Sequence, residues 1–279
     1  MPRLSVVIPA YNNADYIAET MRSILAQDFD DFEVIVADHS STDDTVAVLE
    51  EFSSDPRVTI VNTPAGGGAP RNWRRVSELA TGELIKLVCG DDLLYPGALS
   101  AHVEAFDAHP DAVLVASRRD ILDARGEPLI RARGLDGLIG RAEGTVAIRA
   151  TVRAGTNLFG EPACVTMRRA DLEAAGGWIG DDPYLIDEAS YAAVLRRGPM
   201  VGLEGPHAGF RVNDGQWSVA LAADQASQVR SFHRRTAESI PGLLTGGDVA
   251  MGNARATILS LARRAVYMVY ARRLRAPSR

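Results

Sequence analysis

Leu4-Ser-Val-Val-Ile-Pro-Ala-Tyr-Asn12 opens the chain with a short apolar run that stops in a polar turn. A run without alternation reads as a strand covered on both faces. Working outward, Ser5–Ile8 is expected as a strand and Asp15–Gln27 as a helix with Ile17, Met21, Ile24 and Leu25 on one face. Glu33–Ala37 reads as a second strand closed by Asp38. Ser41 or Thr42 then caps a helix that has Asp43 and Asp44 in its first turn and Val46, Leu49 and Phe52 facing inward. A third strand at Val58–Val61, a helix after Pro70, a fourth strand at Leu84–Val88, a helix from Pro96 to about His109 and a fifth strand at Ala112–Ala116 continue the pattern. This alternation belongs to βαβ units and places the chain in the α/β class, with a mainly parallel sheet flanked by helices.

Beyond Ser117 the periodicity loosens. Residues 118–160 are rich in Gly and Arg and predict a hairpin and loops, with a short helix near Val146–Val152. Ala163–Met167 reads as a strand, Arg169–Ala175 as a short helix and Asp187–Arg197 as a firmer one ended by Gly198. From about Ala220 the pattern is helical, interrupted at Pro241-Gly242, with a last helix over Val249–Leu274. The expected organisation is a main domain over residues 1–218, divided near 117, and a helical C-terminal extension over 219–279.

The 279 residues are 46% hydrophobic and 24% charged, which is ordinary for a globular chain and unlike a disordered or fibrous one. Cys89 and Cys164 have no partner spacing, so no disulfide framework or zinc site is expected, and a reducing, cytoplasmic setting is the simplest expectation. The first apolar run is too short for a signal-peptide core, and no stretch approaches the ~18 apolar residues of a membrane span. A net charge of −6 argues against nucleic acid as a partner. The total conceals a gradient. Residues 1–117 carry 19 acids and 7 bases, and residues 218–279 carry 3 acids and 10 bases. The basic tail keeps an anionic membrane surface or an acidic partner face open.

In an open parallel sheet, ligands sit beyond the carboxyl ends of the strands. Here those ends are Pro9-Ala10-Tyr11-Asn12, Asp38-His39-Ser40-Ser41 and Cys89-Gly90-Asp91-Asp92, with Gly66-Gly67-Gly68 and Pro70-Arg71-Asn72 after the third strand. Paired carboxylates leaving a strand suit a hard divalent ion shared with substrate phosphates. Taken singly, Asp91-Asp92 equally well caps a turn, Tyr11 is an ordinary core aromatic, and Asn12 and Asp38 are common turn residues. Their joint placement favours a site. No G-x-x-x-x-G-K-[ST], G-x-G-x-x-G, H-E-x-x-H or G-x-S-x-G is present, which removes the Walker, dinucleotide, metalloprotease and hydrolase readings.

Leu4–Asn12, Asp31-Phe-Glu-Val-Ile-Val-Ala-Asp38 with Ser40–Thr45, Arg71-Asn72, Thr81-Gly82-Glu83-Leu84-Ile85 and Gly90-Asp91-Asp92 occur in an order that resembles the inverting family 2 glycosyltransferases of GT-A fold. The resemblance implies a nucleotide-binding half over 1–117 and an acceptor half over 118–218. It also implies that Pro9, Ala10, Tyr11, Asn12, Asp38 and His39 line the base and ribose, that Arg71 meets base or phosphates, and that Asp91 meets the ribose or a metal-bound water. Asp92 would hold the metal, Mn2+ or Mg2+, and Arg211 would approach the diphosphate. Gly160-Glu161-Pro162 resembles a segment on the acceptor side, and the helix from Asp187 resembles the family helix that carries the catalytic base. Ala37 and His39 stand where acidic residues are usual, Ile186 where Glu is common and Asn213 where His is usual.

The implied activity is metal-dependent transfer from a UDP, TDP or GDP sugar to a hydroxyl acceptor, in cell-surface glycan or glycoconjugate assembly. Inverting transfer needs one base and no protein acid, so a lone Asp187 suffices; its alternative is a first-turn acid of the helix. The rivals are a degenerate sugar-nucleotide-binding or scaffold protein and, less in keeping with the motifs, a nucleotidyltransferase. The basic, apolar C-terminal helix fits packing on its own domain, a homodimer contact or peripheral attachment to the inner face of a membrane.

Overall fold

The computed structural model describes residues 1–213, 221, 224–269 and 274. Five strands and four helices lead: β1 (Leu4–Ala10), α1 (Ile17–Leu25), β2 (Phe32–Asp38), α2 (Thr45–Glu50), β3 (Val58–Asn62), α3 (Gly68–Glu78), β4 (Leu84–Leu87), β5 (Leu93–Leu94) and α4 (Ala98–Ala108). A second part follows with β6 (Leu114–Leu122), β7 (Pro128–Arg133), β8 (Gly140–Ala142), α5 (Gly144–Ala154), a 3₁₀ turn at Pro162–Cys164, β9 (Val165–Arg168), α6 (Arg169–Ala174), α7 (Ile186–Leu195) and β10 (Met200–Arg211). Two helices close the described chain, α8 (Gln225–Ser239) and α9 (Gly246–Val269).

The strands form one sheet in the order β3-β2-β1-β4-β9-β6-β10-β5, with β7 beside β6 and β8 beside β10. β1 pairs in parallel with β2 and β4, and β2 with β3, so Ala10 and Asp38 stand opposite each other at their carboxyl ends. Antiparallel β9 bridges β4 and β6, and β6 pairs in parallel with β10. All seven β1 residues are buried, as an apolar run in a central strand requires. α1 turns Ile17, Met21 and Ile24 inward at the expected i, i+4, i+7 spacing.

The first five expected strands and their helices are present, whereas the second half departs from expectation. β6 runs on to Leu122, where loops were expected after Ser117, and α5 is longer than Val146–Val152. β10 had no counterpart in the pattern because Gly202, Gly205, Pro206 and Gly209 interrupt it, and its pairing with β6 shifts register around Pro206. The Pro241-Gly242 break separates α8 from α9 as expected; the expected helix end beyond Val269 falls largely outside the described residues.

The C-terminal helices pack on the elements before them and on each other. Asp248 pairs with Arg149 and Arg153 of α5 and Arg255 donates to the Arg153 carbonyl at 3.0 Å, while His233 of α8 meets Asn253 of α9 at 2.8 Å. The outer side of α9 leaves Ile258, Leu261 and Val269 exposed. Among the described residues no helix is long and apolar enough to cross a membrane.

Candidate active site

The carboxyl ends of β1, β2 and β4 bring the expected residues to one rim. After β1 comes a loop in which Asn12 adopts φ 51° and ties the turn to its neighbour: its N–H donates to Ser41 Oγ at 2.9 Å, and its Oδ1 accepts from the Thr42 N–H at 2.8 Å. Asn tolerates this left-handed conformation better than most residues. Pro9 and Ala10 are buried beneath the loop, and the Ala10 carbonyl accepts from the His39 N–H. Tyr11 stands out, 54% exposed, with its ring edge-on to His39 at 6.1 Å.

His39 is buried, with Nδ1 3.3 Å from Thr63 Oγ1. Burial first, then the Arg75 and Arg71 charges, lower its pKa, so it presents a neutral imidazole. Asp38 accepts from the Ser41 N–H at 3.1 Å through Oδ2, while its buried Oδ1 has no partner among the described residues. Arg71 lies exposed on the first turn of α3.

The Cys89-Gly90-Asp91-Asp92 turn after β4 is locked from two sides. A Cβ on Gly90 would lie 2.6 Å from Asn13 Oδ1, so only glycine lets the β1–α1 loop approach this closely. From the other side, the end of β10 grips the turn. The Arg211 N–H donates to Asp92 Oδ1 at 3.1 Å, Arg211 Nε to the Asp91 carbonyl at 2.9 Å and Asn213 Nδ2 to Asp91 Oδ2 at 2.9 Å. Arg211 also pairs with Glu19 at 2.6 Å, donates to the Ala124 carbonyl at 3.2 Å and lies over the Tyr16 ring. Its side chain is 2% exposed. The residue expected at the diphosphate is therefore committed beneath the aspartate turn.

Burial raises the pKa of Asp91, and burial together with the neighbouring Asp91 charge raises that of Asp92 much further. Asp92 Oδ2 is buried with no hydrogen-bond partner among the described residues. An unpartnered carboxylate oxygen beside a second carboxylate, both disfavoured as bare anions, is a donor set that fits a hard divalent cation. No cluster of three or more such ligands occurs among the described residues, so the remaining positions would fall to water and substrate oxygens.

Asp187 occupies the first turn of α7. Asn157 Nδ2 donates to Asp187 Oδ2 at 2.9 Å and the Glu188 N–H to Oδ1 at 2.8 Å. Asn157 is itself fixed, because its Oδ1 accepts from the N–H groups of Phe159 and Gly160. Burial pushes the Asp187 carboxyl up to about 7, against the two hydrogen bonds and with help from the Glu161 charge. Glu161 makes a two-bond fork with Arg119, at 2.6 and 3.2 Å. Burial would raise its carboxyl, but the Arg119 charge and hydrogen bonds hold it below its ordinary value. Burial, then the charges of Asp92, Asp91, Asp187 and Glu161, push the Cys89 thiol up, so the four carboxyls share this thiol as an electrostatic neighbour.

Asn157, Arg119, Glu19 and Asn213 complete this arrangement, and sequence reasoning gave none of them a role. Arg119 sits in the polar stretch Ser117-Arg118-Arg119-Asp120, which hid its place inside a strand. Asn157 had no signal beyond its nearness to Gly160.

The family model for glycosyl transferase family 2 matches residues 5–175. An uncharacterized protein, MT1568, of Mycobacterium tuberculosis is 34% identical over 202 residues, 70% of this chain and 63% of that relative. Poly(ribitol-phosphate) beta-N-acetylglucosaminyltransferase TarS of Staphylococcus aureus is 31% identical over 46% of this chain and 23% of its own length. The chain thus spans less than two thirds of these curated relatives. In three dimensions, TarS 1–349 in complex with UDP-GlcNAc matches with a TM-score of 0.70 and 19% identity, covering 91% of this chain and 71% of that one. A mannosyltransferase, PcManGT from Pyrobaculum calidifontis, in complex with GDP-Man and Mn2+, matches with a TM-score of 0.66 and 19% identity over 97% of this chain and 75% of its own. These likenesses establish the GT-A fold. With the family model covering more than half of its length, the chain belongs to glycosyl transferase family 2.

Proposed function

We propose that this protein transfers a sugar, with inversion, from a nucleoside diphosphate sugar to a hydroxyl group, and that Asp187 is the base. The observation that carries this reading is the Asp187 carboxyl on the first turn of α7, held by Asn157 at 2.9 Å; burial pushes it up to about 7, and it shares the Cys89 thiol as an electrostatic neighbour with the Asp91-Asp92 turn. Tyr11, the neutral His39 and Asp38 receive the base and ribose over the Pro9-Ala10-Tyr11-Asn12 loop. Arg71, exposed and cationic, meets base or phosphates. Asp187 takes the proton of the acceptor hydroxyl while that oxygen bonds to the anomeric carbon and the bond from that carbon to the diphosphate breaks. A base of this pKa is half ionised near neutral pH, where proton transfer is efficient.

Asp92, with Asp91 beside it, would hold a divalent cation, Mn2+ or Mg2+, whose charge offsets that growing on the departing diphosphate. Arg211 and Asn213 keep the two carboxylates in register for it, and Glu161, anchored by Arg119, borders the acceptor side. Relatives whose names specify polymer or undecaprenol-linked acceptors support a role in cell-surface glycan or glycoconjugate assembly. The test is a panel of UDP, TDP and GDP sugars with Mn2+, read by thermal shift and by slow donor hydrolysis. At least one donor should stabilise the protein in a Mn2+-dependent way and be hydrolysed. A panel without binding or turnover refutes the transferase in favour of a degenerate scaffold.

A further inference from the structure

Glu188 follows Asp187 on α7, and its carboxyl reaches α5. That carboxyl is buried. Oε1 lies 2.8 Å from Thr151 Oγ1, while Oε2 has no partner among the described residues. The Thr151 hydroxyl, buried as well, stands 3.0 Å from the Thr156 carbonyl and accepts the Leu158 N–H at 3.3 Å. These two residues flank Asn157, whose amide orients Asp187. At their other ends the two helices meet backbone to backbone, where a Cβ on Gly144 of α5 would collide with the Leu195 carbonyl of α7. Thr151 and Glu188 therefore sit between helices that are tightly packed, not in a loose seam.

A hydroxyl donates one hydrogen and accepts two. The Thr156 carbonyl can only accept, so the Thr151 hydrogen goes there, and the Leu158 N–H takes one lone pair. The third contact then needs a hydrogen from Glu188, so all three close together only when Glu188 is a neutral acid. The unpartnered Oε2 points the same way, because a lone carbonyl oxygen costs far less to bury than half of a carboxylate. Burial pushes this carboxyl up to about 8; the Thr151 hydrogen bond opposes the rise, the Asp187 charge adds to it and the Arg263 charge of α9 opposes it. We infer that Glu188 is a positioning residue: as a neutral acid it donates to Thr151, which clamps the backbone on both sides of Asn157 and so holds the Asp187 carboxyl in place. An ionised Glu188 would draw the Thr151 hydrogen to itself and release the Thr156 carbonyl. The inference rests on the transferase reading for what Asp187 does, but the proton on Glu188 is testable without turnover.

The kinetic readout is Mn2+-dependent hydrolysis of whichever UDP, TDP or GDP sugar the panel identifies, with water in place of the acceptor hydroxyl. Glu188→Ala should slow it about tenfold and move the acid limb of the pH–rate profile upward, as Asn157→Ala does. Glu188→Gln, whose amide N–H can donate to Thr151, should restore most of the rate and put the limb back where the parent has it. In an Asn157→Ala background, Glu188→Ala should cost nothing more, because both act through the same contact. Losses that multiply show that Glu188 acts elsewhere, and a limb moved downward by Glu188→Gln shows that the parent carries a charge there; either overturns the inference. Thermal melts need no donor. The folded acid keeps its proton up to about 8 and the unfolded one releases it near 4.5, so its contribution is complete below the lower value and lost as pH rises through the upper one. The Tm of Glu188→Gln relative to the parent should therefore climb across that window. A constant difference overturns the inference whether or not a donor turns over, whereas a climb without turnover of any donor fails the transferase reading and leaves the proton on Glu188 standing.

Discussion

Asn157 holds Asp187: its Nδ2 donates to Asp187 Oδ2 at 2.9 Å while its own Oδ1 is pinned by two backbone N–H groups. With the Glu188 N–H on the other oxygen at 2.8 Å, the carboxyl is given one orientation. The Asn157 hydrogen bond favours the ionised form and works against the burial that raises the pKa. Asn157→Ala should therefore slow transfer about tenfold and move the acid limb of the pH–rate profile upward. A purely structural residue would lower the rate without moving the limb, and that profile is the measurement.

Asp187→Asn separates chemistry from binding. Loss of the base should reduce kcat by about 10²–10⁴-fold, with donor affinity preserved. In the parent, transfer should rise with pH through about 7 as Asp187 loses its proton. Stability runs the other way. The folded carboxyl keeps its proton up to about 7, whereas the unfolded one releases it near 3.8. Asp187 therefore contributes fully below the lower value and loses its contribution as pH rises through the upper one. Asp187→Asn should then equal the parent in Tm near pH 3.8 and exceed it at pH 8, a comparison made by thermal melts across that range.

The five expected strands between Ser5 and Ala116 were legible because each is a short, largely apolar run closed by a polar or turn-forming stretch, at Pro9, Asp38, Asn62, Cys89-Gly90 and Ser117. The rim was legible for the same reason, since ligand-facing residues in an open sheet follow the strands. β10 was hidden because its pairing with β6 tolerates Gly202, Gly205, Pro206 and Gly209, and neither period two nor an apolar run survives that many interruptions. With β10 hidden, the geometry of Arg211 was hidden too. Its motif implies an approach to the diphosphate, and only the strand's register shows its guanidinium turned to Glu19 and the Ala124 carbonyl beneath the aspartates. Asn157 acts through a loop contact 30 residues away in sequence, which no local pattern announces.

Gly90 sits where two loops nearly touch. A Cβ there would lie 2.6 Å from Asn13 Oδ1 and 2.8 Å from Asn13 Cγ, and Asn13 is held by Tyr11 and Thr45. Gly90→Ala should cost about 1–3 kcal/mol of stability through overpacking. Because Asn13 accepts the Tyr11 N–H, its displacement should weaken nucleotide affinity as well. Urea unfolding and UDP titration read the two effects, and an unchanged Kd would show that the Tyr11 loop does not depend on this contact.

Asp92 should behave as a destabilising residue that function retains. Its carboxyl is buried beside Asp91, and one oxygen has no partner among the described residues. Asp92→Asn removes the disfavoured charge, so without cation the variant should melt above the parent at neutral pH. With UDP and Mn2+ the order should reverse, because stabilisation by a ligand scales with its affinity for the folded state, and that affinity would fall with the lost charge. Asp38→Asn serves as the contrast: it also lies at the rim, yet it is expected to weaken nucleotide binding equally with and without Mn2+. Thermal melts of parent and both variants, with and without UDP and Mn2+, decide the matter, and a Mn2+ response that survives in Asp92→Asn assigns the cation elsewhere.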